Sequence, residues 1–446
     1  MPMTLVIVAI LAFYVAFNLG ANDVANAMGT SVGSKAVTLK QAIIIAGVLE
    51  FTGAVLFGHE VSETLATKVA NPSLFAATPQ LLVTGMMTVL ISCGVWLQIA
   101  TAKGLPVSSS HAVVGAIAGF SAVAMGIGAI DWSSIGMITI GWLVTPIISG
   151  SIAALFYSQI QRWILNQPNQ VAQLREWIPW LSSALLGVFG VIVLPSLTQP
   201  LTNFLTAQVG INIPAYDIPL FTGALAAVGL TVISWRQLEA EECKGVGVKG
   251  CKGVRENPEE SITQHSALST QHSALSTPTE RLFGRYQLLS ACFVAFAHGS
   301  NDVGNAIAPL AAIVYINATG KVPINGIDIP LWILVVGGAG IVTGLAIWGK
   351  NVIATIGENI IALQPSSGFC AELATATTIL LASRLGLPVS TSHALVGGVV
   401  GIGMVQSLNS IKFQTLQGIA AAWLITVPLS AVLSASIFSI ARLVWH

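Results

Sequence analysis

The sequence predicts an all-α polytopic membrane protein of about 12 transmembrane segments, arranged as two inverted-topology repeats with broken or re-entrant helices. Three observations carry this. Apolar residues make up 54% of the 446 and charged residues only 8%, against roughly 25% charged in a soluble domain. Apolar stretches long enough to cross about 30 Å of hydrocarbon recur along the chain. Finally, three motifs of the first half return in the same order in the second.

The composition also excludes. Its 18 basic residues match its 18 acidic ones, so the chain is no broadly basic nucleic-acid binder and no nucleic-acid partner is expected. Five Cys at irregular spacing predict no disulfide framework. The N-terminus is apolar at once and the first basic residue is Lys35. A cleavable signal peptide, which needs a charged leading region, is therefore not expected.

The apolar stretches lie near 4–30, 41–59, 81–101, 107–128, 135–157, 179–197, 216–235, 286–315, 330–349, 368–384, 388–405 and 415–440. The first and eighth are long and broken by polar residues. The tenth and eleventh are short and split by Gly386-Leu387-Pro388.

Residues 236–285 differ in kind. They hold seven Lys/Arg, seven Glu and a tandem repeat, Thr263-Gln264-His265-Ser266-Ala267-Leu268-Ser269 followed by Thr270-Gln271-His272-Ser273-Ala274-Leu275-Ser276. This composition predicts a disordered hydrophilic linker. Its Gly245-x-Gly247-x-x-Gly250 string has no βαβ unit around it, so dinucleotide binding is not expected. Placing the linker in the cytoplasm puts fourteen Lys/Arg inside and four outside, and seven against four without the linker's own. Both termini are then outside, in the plasma (inner) membrane.

The repeat fixes the domains. Gly20-Ala21-Asn22-Asp23-Val24-Ala25-Asn26-Ala27 returns as Gly299-Ser300-Asn301-Asp302-Val303-Gly304-Asn305-Ala306. Gly104-Leu105-Pro106-Val107-Ser108-Ser109-Ser110-His111-Ala112 returns as Gly386-Leu387-Pro388-Val389-Ser390-Thr391-Ser392-His393-Ala394, and Trp142-Leu143-Val144-Thr145-Pro146 as Trp423-Leu424-Ile425-Thr426-Val427-Pro428. Residues 1–160 form the first repeat, 161–235 two connecting helices, 236–285 the linker and 286–446 the second repeat. The copies start seven spans apart, an odd number, so they face opposite ways across the bilayer. That is the arrangement of secondary transporters with alternating access.

Asp23 and Asp302 sit inside apolar spans, where a carboxylate costs at least about 2.5 kcal/mol on insertion scales and is normally functional. With Asn22, Asn26, Asn301 and Asn305 they offer carboxylate and amide oxygens, suited to a hard cation such as Na+, or to H+. The competing reading is polar glue between helices. The Gly-Leu-Pro-Val-Ser-Ser/Thr-Ser-His pair reads as a helix break followed by a capped helix start. Two such starts, bearing Ser108, Ser109, Ser110 and Ser390, Thr391, Ser392, would hold a tetrahedral oxyanion between backbone N–H groups and hydroxyls; ordinary capping is the alternative. His111 and His393 brace the turns or carry protons, and bracing is favoured. Glu50 and Glu372, both intramembrane, either relay a cation, pair with helix termini or make structural hydrogen bonds. His298 has Leu19 as its counterpart, an asymmetry that argues against an essential role.

Gly29-Thr30-Ser31-Val32-Gly33 matches the GxSxG of serine hydrolases but follows an apolar helix, not a strand. Small residues for close helix packing explain it better. There is no Walker A motif, and neither an enzyme nor a cofactor is expected.

The duplicated Asn-Asp and Gly-Leu-Pro-Val-Ser-Ser/Thr-Ser-His motifs, with a polar segment between the copies, resemble those of the inorganic phosphate transporter (PiT) family of cation-coupled phosphate symporters. The likeness covers about 10–160 and 285–440. It implies phosphate contact from the six Ser/Thr positions and cation contact from the Asn-Asp motifs, with Na+ at Asn22, Asp23, Asn301 and Asp302. It also implies functional roles for Glu50 and Glu372 and a homodimer in the lipid bilayer. Some prokaryotic members carry sulfate, others a neutral metal–phosphate complex, and the motifs do not separate these cases. Symport of inorganic phosphate with Na+, or with H+, is the expected function. A sulfate permease of the same fold is the alternative, and an anion channel a more distant one.

Overall fold

A computed structural model of the chain describes residues 2–105, 107–204, 206, 214, 216–246, 277–324, 326–349, 361 and 363–445. Among them no strand forms, apart from one isolated bridge between Ala70 and Ile130. The helices are α1 (Pro2–Gly33), α2 (Leu39–Phe57), α3 (His59–Thr67), α4 (Pro79–Ala102), α5 (Ser109–Met125), α6 (Trp132–Ile160) and α7 (Gln170–Ile192). They continue as α8 (Leu194–Phe204), α9 (Asp217–Val246), α10 (Pro278–Thr319), α11 (Leu331–Ile347), α12 (Pro365–Arg384), α13 (Thr391–Gln406) and α14 (Phe413–Trp445).

Six of them (α1, α2, α4, α6, α9 and α14) are long and apolar enough to cross a membrane, or seven spans if α7 and α8, bent by 53°, count as one. The chain is a multi-pass integral membrane protein. The sequence reading counted twelve spans. Two of the stretches so counted, α5 and α11, are helices of 17 residues each; at about 1.5 Å per residue they reach roughly 25 Å, short of a full hydrocarbon core.

The chain forms two compact units, residues 1–158 with 286–446, and residues 159–285. In the second unit α7 packs on α9, with Trp235 donating to the Arg175 carbonyl at 2.8 Å. In the first, α1 packs on α11 and α4, and α5 on α14. Large apolar side chains such as Leu424 and Leu443 stay exposed, as expected of a surface facing lipid. The buried set, by contrast, includes both aspartates and both intramembrane glutamates, but no Lys or Arg among the described residues.

Two expectations need correction. The polar residues of the first and eighth stretches interrupt the apolar run but not the helix, because α1 and α10 continue through Asp23 and Asp302. An Asn or Asp side chain that finds a partner elsewhere leaves its backbone ladder intact. The expected linker also begins and ends as helix. α9 continues to Val246, and α10 begins at Pro278, capped by Thr277, whose hydroxyl accepts from Glu280 N–H at 3.2 Å. Arg281 and Glu241 pair at 3.0 Å across the two ends. The remainder of the linker, including the tandem TQHSALS copies, lies outside the described residues.

Candidate functional site

Each repeated motif breaks its helix the same way. Gly104 and Gly386 both adopt φ +63°, a left-handed conformation that glycine takes without steric cost. Ser108 and Ser390 then cap α5 and α13, accepting from the N–H of His111 at 3.4 Å and His393 at 3.3 Å. The first Asn of each Asn-Asp motif ties its helix to the break of its own half. Asn22 donates to Thr101 Oγ1 (3.0 Å) and the Leu105 carbonyl (3.3 Å). Asn301 donates to Ser383 Oγ (3.1 Å) and the Leu387 carbonyl (3.2 Å).

The next residues meet at one buried place. Ser109 donates to Asp23 at 3.1 Å and Thr391 to Asp302 at 2.9 Å. Asp23, Asp302 and His298 each bring a ligand atom within 4.8 Å of the others. Beyond this the two copies differ. Asn305 crosses to the first helix start, donating to Ser109 at 3.1 Å and Ser110 at 3.2 Å, and Ser110 donates to the Val389 carbonyl at 2.9 Å. Asn26 instead turns to Asp23 of its own helix at 3.3 Å, and Ser390 and Ser392 bond each other at 3.0 Å. The second copy retains three buried oxygens without a donor among the described residues: Asn301 Oδ1, Asp302 Oδ1 and Asn305 Oδ1. Carboxylate and amide oxygens left bare in a dry interior are the donor set of a hard cation.

His298, set aside on sequence because its counterpart is Leu19, stands at the centre. Its Nε2 lies 3.0 Å from Asp302 Oδ2 and its Nδ1 3.3 Å from Glu50 Oε1, with all three side chains buried. The contacts lack aligned hydrogen-bond geometry. A carboxylate therefore stands at each ring nitrogen. Glu50 thus joins the Asp cluster through His298.

Glu372 does something different. It accepts from Thr30 and Ser31 (2.6 Å each), Gln287 (3.2 Å) and Ser290 (2.8 Å), knitting α12 to α1 and α10. Ser34 extends this knot to Gln287 at 2.7 Å. The apparent hydrolase string is therefore the end of α1, its Thr and Ser hydroxyls turned to a carboxylate. His111 and His393 do not touch the aspartates. Their Nδ1 atoms lie 3.2 Å from the Trp423 carbonyl and 3.0 Å from the Trp142 carbonyl.

Carboxylates, amides and hydroxylated helix starts gathered at one buried point of a helical membrane protein fit a transporter. The family model described as "Phosphate transporter family" matches residues 19–434, and the chain belongs to that family, one of transporters, not enzymes. It is 40% identical over 426 residues to "Inorganic phosphate transporter 2-1, chloroplastic" of Arabidopsis thaliana, covering 95% of this chain and 69% of that protein. A solved structure titled "The sodium-dependent phosphate transporter" is similar with a TM-score of 0.81 at 33% identity, covering 99% of both chains.

Proposed function

We propose that this protein imports inorganic phosphate by symport with cations, Na+ in preference to H+, through alternating access to a mid-membrane site. The observation that carries the reading is the meeting of both motif copies at one place: Asp23, Asp302 and His298 within 4.8 Å, each aspartate held by a hydroxyl of a different helix start. Ser108, Ser109, Ser110, Ser390, Thr391 and Ser392 receive the phosphate, with the backbone N–H groups opening α5 and α13 beside them. Asn22, Asp23, Asn26, Asn301, Asp302 and Asn305 receive the cations. Glu50 supports the cation site through His298, and Glu372 holds the helices that carry it.

Charge counting supports the coupling. With all three ionised and His298 protonated, Asp23, Asp302 and Glu50 leave two negative charges, and a divalent phosphate makes four. No Lys or Arg is buried among the described residues to offset them, and a helix terminus supplies only about half a charge. Two or more cations should therefore accompany the anion, or one of the groups must be protonated. The Na+ preference is supported by the printed title of the similar structure. An anion channel has no need of the paired aspartates, and no relative reported above favours sulfate.

Twelve segments in two inverted repeats, connected by 161–235 and the linker, fit the equivalent bonding of Asn22 and Asn301. Lys/Arg placement favours cytoplasmic exposure of the linker with both termini outside, in the plasma membrane. The homodimer rests on the family likeness. Uptake of labelled phosphate into proteoliposomes, with Na+ and pH gradients imposed separately and sulfate as competitor, tests the reading. Uptake without any cation gradient dependence, or equal uptake of sulfate, refutes it.

A further inference from the structure

The two histidines of the repeated motif open two matching seams, each between a helix start of one half and a long helix of the other. On α5, His111, Gly115 and Gly119 follow one another at four-residue spacing and face Trp423, Val427 and Ala431 of α14 at the same spacing. On α13, His393, Gly397 and Gly401 face Trp142, Pro146 and Gly150 of α6. A Cβ on any of these four glycines would fall on the facing backbone, so the helices touch main chain to main chain. The aromatic rings interleave at the seam heads. His111 lies 3.9 Å from the Trp142 ring, His393 3.6 Å from the Trp423 ring, and the two imidazoles 4.8 Å from each other at 84°.

A carbonyl within a helix normally accepts from the N–H four residues on, and Pro146, four residues after Trp142, has none. The Trp142 carbonyl is left for His393, whose Nδ1–H donates to it at 3.0 Å. In the other seam Val427 stands four residues after Trp423 and keeps its N–H. Pro428 comes one residue later and frees the carbonyl of Leu424, an exposed side chain. The His111 Nδ1 lies 3.2 Å from the Trp423 carbonyl. Each imidazole, with Nδ1 donating, has no partner on Nε2 among the described residues.

We infer that His393 and His111 are positioning residues of phosphate transport. Each keys the helix start that carries one side of the cradle onto the long helix of the opposite half, and Pro146 exists to hold one carbonyl open for that key. This rests on the cradle reading of the two helix starts.

The test is phosphate uptake by the full-length protein in proteoliposomes, normalised to reconstituted protein. Pro146→Ala adds an N–H that claims the Trp142 carbonyl while improving the helix. It should raise the phosphate concentration for half-maximal uptake about threefold to tenfold, the scale of one hydrogen bond, with a smaller change in maximal rate. His393→Ala should do the same, and the double variant should be no worse than the worse single one. Pro428→Ala, one residue off the seam, should leave phosphate dependence within about twofold of wild type. Unchanged phosphate dependence in Pro146→Ala, multiplied effects in the double variant, or equal effects of Pro146→Ala and Pro428→Ala would overturn the proposal. If His393→Ala does not reconstitute, the contrast between the two proline variants decides alone. Ser109→Ala and Thr391→Val run in parallel. If they leave phosphate dependence unmoved, the cradle reading falls and the proposal with it; if they shift it while Pro146→Ala does not, only the key is wrong.

Discussion

Replacing His298 by Gln removes the imidazole that stands between Asp302 and Glu50, and any positive charge it carries, while keeping a side chain of similar reach. The ring nitrogens lie 3.0 Å from Asp302 and 3.3 Å from Glu50. A unit-charge pair at about 4 Å and an effective dielectric near 20 is worth about 4 kcal/mol, and breaking a buried pair from one side costs about 3–5 kcal/mol. An amide hydrogen bond to one carboxylate returns about 1.5 kcal/mol. The remaining deficit, about 2–3 kcal/mol, falls on any state that adds a further anion. Phosphate affinity at low Na+ should drop roughly 30- to 150-fold, since each 1.4 kcal/mol is tenfold. A mobile cation can take the place of the lost imidazolium, so the deficit should close as Na+ rises. Uptake in proteoliposomes over a grid of Na+ and phosphate concentrations measures both effects. A variant reconstituted at equal amount, with wild-type dependence on both ions, would refute the charge argument.

Asp23→Asn and Asp302→Asn should each abolish cation-driven uptake with protein still in the membrane, since the amide keeps the size and loses the charge; normal uptake at saturating Na+ would remove the aspartates from the cation site. Glu372→Gln replaces an acceptor of four hydrogen bonds by a group with one acceptor oxygen, and should cost about 1–3 kcal/mol of stability, visible as a lower melting midpoint in detergent; an unchanged midpoint would show that the knot does not hold α1 to α12. Deleting residues 257–276, which spares the Thr277 cap of α10, should preserve uptake; lost uptake at normal membrane levels would show that the linker does more than connect.

The sequence made legible what it repeats. Asn22 and Asn301, or Ser108 and Ser390, could be paired by eye, and each pair makes equivalent bonds in the structure. What it says once was harder to read. His298 has no counterpart in the first copy, and nothing along the chain shows that α2 carries Glu50 to it. Glu372 looked alone because its partners sit at the end of α1 and in α10, over 80 residues or more of chain. The seams were hidden because Trp142-x-x-x-Pro146 and Trp423-x-x-x-x-Pro428 differ by one inserted residue, which shifts the proline off the contact in one seam alone.

The absence of buried Lys or Arg among the described residues bears on how the anion leaves. A fixed ammonium or guanidinium would hold phosphate equally well at either face of the membrane, and slow exit would follow from tight capture. In the proposed symport the countercharge that makes binding favourable is itself cargo. Each cation that departs would strip attraction from the site and leave the phosphate facing carboxylates, so unloading would accelerate itself. Where Na+ is dilute the anion would then be expelled by the same groups that admitted it, and net direction would follow from the concentration of the escort.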